Sequence, residues 1–256
     1  MPKSTQASLQ IATALTSLPD PHRAGLPAKD SIVGLTMPTA GAKYTVIHTN
    51  ETDEYDKVAK GAAAVVPTGD DFGGTARKAA KLSISAAKVE TFTDVKDLIA
   101  SLTADSKMIA RKPAIGTGAT SNRVTEEQRN VHVTGFIYAA SREADNDFHL
   151  IIGRDPKATP EMYMTMELSG LPPASSPSFA KLKAARDAFK KFFQSQAGGK
   201  LPALTYDFYQ PPIPVRVEGS LFFDMTHALG PHPGPPSLKS RMPVIWEVHP
   251  ITAFKA

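Results

Sequence analysis

Residues 131–168 read VHVTGFIYAASREADNDFHLIIGRDPKATPEMYMTMEL, and this stretch decides the fold. VHVTGFIYAA alternates around Gly135, a polar run at 143–147 turns the chain, and FHLII returns, which is the pattern of a β-hairpin. MYMTMEL makes a third strand. It carries Tyr163, Thr165 and Glu167 on one side and Met162, Met164, Met166 and Leu168 on the other. The methionine stripe reads as a core face.

Downstream, Ser176 and Pro177 open a helix in which Phe179, Leu182, Phe189 and Phe193 recur at helical spacing. Lys181, Lys183, Arg186, Lys190 and Lys191 fall mostly on its other faces, and Ala197-Gly198-Gly199 ends it. Strands follow at 215–223 and 244–249, separated by a long Gly/Pro loop. Three strands, a helix, a strand, a loop and a last strand predict an α+β, mainly β fold. The expected form is an OB-like, partly open antiparallel barrel with one helix inserted after the third strand.

Residues 89–256 are therefore expected to form a β-barrel domain, with residues 1–88 as an irregular N-terminal extension. In the extension, residues 8–18 suit a short helix ended by Pro19 and Pro21, while 30–37 and 43–48 suit short strands. Residues 61–81 show no sustained period and read as loop or linker. Just inside the domain, TFTDVKDLIASL predicts a helix capped by Thr93. The extension offers an arm for a second copy or another protein partner, with Tyr44 to His48 as an added edge strand.

Composition narrows the chemistry. The chain of 256 residues has no cysteine, which excludes disulfides, thiolate catalysis and cysteine-ligated metals. Its net charge of +4 is spread along the sequence, so an anionic partner is permitted but not demanded. No apolar run reaches the length of a membrane span, and the N-terminus makes a poor signal-peptide core; no membrane partner and a cytoplasmic location are expected. Neither a G-x-x-x-x-G-K-[ST] phosphate loop nor a G-x-S-x-G elbow occurs.

Two acid-x-histidine pairs, Asp147 with His149 and Glu247 with His249, fall on expected strands, and Asp224 with His227 follows a strand end. Residues two apart on a strand face the same side, so each pair projects together. If the hairpin and the closing strand are neighbours, three carboxylates and three imidazoles converge. That donor set suits a divalent metal such as zinc, iron or manganese, and through it hydrolysis by activated water. The other explanation of the same residues is structural: histidines packed near Trp246 and hydrogen-bonded to carboxylates. Pro250 reads as a strand terminator.

A second pattern sets Arg129, Arg142, Arg154 and Arg216 among the aromatic residues Phe136, Tyr138, Tyr163 and Trp246. Basic grooves with aromatic platforms bind single-stranded nucleic acid, whereas the same arginines can equally be solvated surface charges. The loop at 228–241, ALGPHPGPPSLKSR, is long enough to serve as a lid or a docking element.

The segments NRVTEEQRNVHVTGFIYAASREADNDFHLIIG, SLFFDMTHALG and IWEVHPIT resemble a group of uncharacterised bacterial proteins. In that group an acidic turn and a D-x-H-L strand pair with a closing W/L-E-x-H-P strand. The resemblance covers residues 89–256 and implies a compact β-rich unit without an assigned activity. The leading expectation is a non-catalytic binding or assembly module, followed by a metal-dependent hydrolase and then a single-strand nucleic-acid binder.

Overall fold

The computed structural model describes residues 25–38, 41–53, 67–196, 199–228 and 232–256. The helix expected at 8–18 lies outside them. The fold is mainly β, with eight strands in one mixed sheet ordered β1-β2-β7-β8-β6-β5-β4-β3. The strands are β1 (Ile32–Thr36), β2 (Thr45–Thr49), β3 (Val89–Phe92), β4 (Asn130–Arg142), β5 (Phe148–Gly153), β6 (Tyr163–Leu168), β7 (Asp207–Phe223) and β8 (Trp246–Lys255). The α-helices are α1 (Lys78–Lys81), α2 (Val95–Ala100), α3 (Asp105–Ile109), α4 (Phe179–Gln196) and α5 (Pro236–Lys239). Among the described residues no helix is long and apolar enough to cross a membrane.

β4, β5 and β6 form the expected antiparallel meander, with Ile137 opposite Ile152 and Ile152 opposite Met164. β6 then lies parallel to β8, β8 antiparallel to β7, and β7 antiparallel to β4. The all-antiparallel expectation is thus corrected, since β6–β8 and β3–β4 run parallel. A parallel neighbour needs a long crossover, and β6 reaches β8 only through α4, β7 and the loop after it.

One face of the sheet packs a large apolar core. Met164, Met166 and Leu168 enter it as the alternation requires, and α4 lays Phe189 and Phe193 against it. The Phe189 ring sits 4.7 Å from Phe148 and 5.4 Å from Phe254. Trp246 belongs to the same core: its ring is 5.2 Å from Phe223, and Nε1 donates to the Thr103 carbonyl at 2.7 Å. The opposite face carries a smaller cluster in which Ile151, Tyr163 and Phe208 are covered by Ile47, Leu238 and Met242. Residues from the N-terminal segment and from the 224–242 loop thus roof the outer side of β5 and β6.

Several local expectations change. β7 begins at Asp207 rather than near 215, because Pro211 and Pro212 fall in a ladder gap where residues 209–212 bulge opposite Tyr138 alone. β8 runs through Pro250 to Lys255, because Pro250 lies at an irregularity of the β7–β8 register, where Gly219 meets Ile251 and Leu221 meets Val248. A side chain at Gly219 would strike the Pro250 carbonyl, since a Cβ there would lie 2.5 Å from it. The cap of α2 is Asp94, whose Oδ1 accepts from Lys96 N–H at 2.8 Å, not Thr93. Arg186, expected on the wet side of α4, is buried over the Phe148 ring and donates to Asp70 at 2.9 Å.

The described part of the 61–81 stretch is ordered around a buried cation. Both terminal nitrogens of Arg77 donate to the two Glu127 oxygens at 2.7 Å, and the guanidinium also caps the Phe223 and Asn122 carbonyls at 3.0 Å. Glu127 in turn accepts from the backbone of Phe223 at 2.8 Å and Val124 at 2.7 Å. Removing the cation leaves a buried carboxylate without its counter-charge. Arg77→Ala is expected to lower unfolding free energy by about 3–5 kcal/mol, read from denaturant unfolding against wild type.

Candidate functional site

On the roofed side of the sheet the acid-x-histidine pairs meet, but not directly. β6 lies between β5 and β8, with Glu167 opposite His149 on one side and Thr165 opposite Glu247 on the other. Alternation turns His149, Thr165, Glu167, Glu247 and His249 outward from the main core, and Asp147 ends the turn into β5. His149, Asp147, Glu167, Glu247 and His249 are all at most 2 % exposed.

Each side chain is held by local structure. Asp147 Oδ1 accepts the Gly170 N–H at 2.6 Å. Lys81 reaches in from α1, 3.2 Å from Asp145 Oδ2 and 3.6 Å from Asp147 Oδ2. His149 Nδ1 contacts the Glu143 carboxylate and faces the Tyr206 hydroxyl at 3.1 Å. The Phe222 ring lies 5.4 Å from the His249 ring. Arg123 donates to the His249 carbonyl at 2.6 Å and to the Ala80 carbonyl at 2.8 Å, pinning β8 to α1.

The inner atoms approach one another as close ion pairs. His249 Nδ1 is 2.8 Å from Glu167 Oε2 and 3.5 Å from Glu247 Oε2, and His249 Nε2 is 3.4 Å from Asp147 Oδ2. Yet both His249 nitrogens, His149 Nε2, Glu167 Oε2, Asp147 Oδ2 and both Glu247 oxygens lack an aligned hydrogen-bond partner. Short distances without alignment mean that donors and acceptors point past each other toward shared space. Ligands around a tetrahedral ion bound at about 2.1 Å are separated by about 3.4 Å, which matches the His249 contacts with Glu247 and Asp147 but not the shorter 2.8 Å contact with Glu167.

Burial and crowding set the charges. Burial pushes Asp147 well above the ordinary carboxylate range, with the Asp145 charge adding to it. Glu247 rises for the same reason, burial first and then the Glu167 charge. Burial also raises Glu167, but His249 and Lys81 outweigh it and hold it low. Burial depresses the His249 imidazole despite the Glu167 carboxylate beside it. Lys81 goes the other way: burial would lower it, but the surrounding carboxylates hold it well above its usual value.

Asp224 and His227 join the cluster through Glu247, the three offering ligand atoms within 4.8 Å of one another, and they also act as a strap. His227 Nδ1 is 2.7 Å from Asp224 Oδ2, and Nε2 is 3.4 Å from Asp53 Oδ1. Asp53 Oδ2 accepts the Gly234 N–H at 2.6 Å, and Glu51 Oε2 accepts the Ser237 N–H at 3.0 Å. The acidic residues after β2 thereby hold the described residues of the 224–242 loop over the cluster.

The basic and aromatic residues of the second pattern are placed differently. Arg129 is paired with Glu90 at 2.6 Å and Arg154 with Asp94 at 2.9 Å. Arg142 donates to Asn146 Oδ1 at 2.7 Å and to the Gly69 carbonyl. Arg216 lines a shallow groove with Phe136 and Lys255. Tyr138, Tyr163 and Trp246 are buried, and the two tyrosine hydroxyls donate to the Arg154 carbonyl at 2.9 Å and to Glu161 at 2.8 Å. Three of the four aromatic faces are therefore not presented to solvent.

Residue types and strand spacing pointed to Asp147, His149, Asp224, His227, Glu247 and His249. They missed Glu167, Glu143 and Lys81. Glu167 was findable, since alternation in MYMTMEL puts it outward beside Thr165, whereas Lys81 lies in a stretch without a period. Comparison with protein-family models, curated proteins and solved structures returned no match for this chain.

The strap has a pH signature. Burial opposes the charge on His227, but hydrogen bonds to Asp224 and Asp53 prevail and raise it from 6.5 to about 10. A raised histidine stabilises fully below 6.5 and loses that contribution as pH climbs through about 10. His227→Gln is accordingly expected to lower the melting temperature by several degrees near pH 6. The gap to wild type should close as pH passes about 10, in parallel thermal scans of both proteins.

Proposed function

We propose that the chain is a binding module whose ligand is a divalent transition-metal ion, held by Glu167 with either Asp147 and His249 or Glu143 and His149, beside Glu247, on an OB-like barrel. Support for the scaffold comes from the cycle of pairings β4–β5–β6–β8–β7–β4, with α4 between the third and fourth of these strands, which is the OB order.

One observation carries the ligand. Buried nitrogens of two histidines and buried oxygens of three carboxylates converge with no aligned hydrogen-bond partner. Each buried polar group left unsatisfied costs about 1–3 kcal/mol, a cost that a cation bound among these atoms would offset. Imidazole and carboxylate donors without sulfur suit zinc, manganese or iron. Burial under the strapped 224–242 loop favours holding the ion over turning over a substrate, which requires an open coordination position. A nucleic-acid role draws little support from these arginines, since Arg129 and Arg154 are paired to carboxylates and Arg142 is bonded within the fold. A docking arm draws little from β2, which pairs with β7 of its own chain.

Elemental analysis of purified protein is expected to find stoichiometric metal. Zinc or manganese added to chelator-stripped protein should stabilise it, by about 2.7 kcal/mol at a hundredfold excess over the dissociation constant. His249→Ala and the isosteric Glu247→Gln should each weaken binding by tenfold or more. Absence of bound metal together with no thermal response in wild type would sink the reading.

A further inference from the structure

We infer that the cluster holds a pair of cations bridged by the Glu167 carboxylate, an inference that rests on reading the cluster as a metal site. Glu167 stands on the middle strand, with a histidine from each neighbouring strand beside it. Its ligand atoms belong to two triads, Glu143–His149–Glu167 and Asp147–Glu167–His249, each with all atoms within 4.8 Å. A carboxylate has two oxygens, and sites with two metals about 3.5–4 Å apart commonly share one such ligand.

Satisfaction of the buried nitrogens calls for the second ion. His149 Nε2 and both His249 nitrogens lack aligned partners, and the two rings lie on opposite sides of Glu167. One ion in either triad leaves the other histidine as it was.

The test uses the full chain, stripped with chelator and titrated with Mn²⁺. Wild type is expected to take up two ions per chain, and electron paramagnetic resonance should show exchange-coupled manganese rather than the pattern of isolated ions. Glu143→Gln and Asp147→Asn, which alter one triad each, should bind a single uncoupled ion. Glu167→Gln should lose the coupling and weaken both ions at least tenfold. One ion per wild-type chain would overturn the pair while leaving the single-ion reading in place. None would overturn both. Uptake of two uncoupled ions would overturn the Glu167 bridge.

Discussion

The parallel pairing of β8 with β6 is the constraint on which the rest of the molecule depends. It sets Thr165 against Glu247 and Met166 against Val248, so that one side of the pair fills the core while the other presents its polar residues. Without it, the E-x-H pair of the closing strand and the D-x-H pair of the hairpin would be separate surface features. With it, Glu167 becomes the middle of three charged strands and the two histidines flank it.

Placing charge on that face has a physical consequence that shapes the chain around it. A carboxylate or imidazole withdrawn from water must be compensated. The structure meets this need with Lys81 from α1, Glu143 and Tyr206 against His149, and Arg123 behind the His249 backbone. These groups come from widely separated parts of the sequence. The described residues before 89 are therefore not bystanders: Lys81 supplies counter-charge to the cluster, Glu51 and Asp53 anchor the strap over it, and Arg77 neutralises Glu127 nearby.

The same requirement explains why four of the described arginines are unavailable to a surface groove. Arg77, Arg123, Arg142 and Arg186 are buried, and each satisfies backbone carbonyls or carboxyl and amide oxygens of the fold. Arginine suits this because its planar fork offers five donors in fixed directions and remains charged when buried. A mildly basic composition here reflects internal pairing as much as surface character.

What the sequence determined by itself was what is periodic. Alternation located the hairpin, the methionine strand and the faces of each; helical spacing located α4; and the i, i+2 rule placed each acid beside its histidine. Lateral neighbours were decided only by the tertiary structure, because strand pairing depends on crossovers whose path no local pattern records. So the parallel β6–β8 contact, the insertion of Glu167 between the two histidines and the arrival of Lys81 from an aperiodic stretch were not legible. Prolines misled for the same reason: Pro211, Pro212 and Pro250 look like breakers locally, and become compatible with strands only where a register shift removes the need for their missing N–H. The acid-x-histidine pairs are local facts. The site that unites them is a fact of long-range packing.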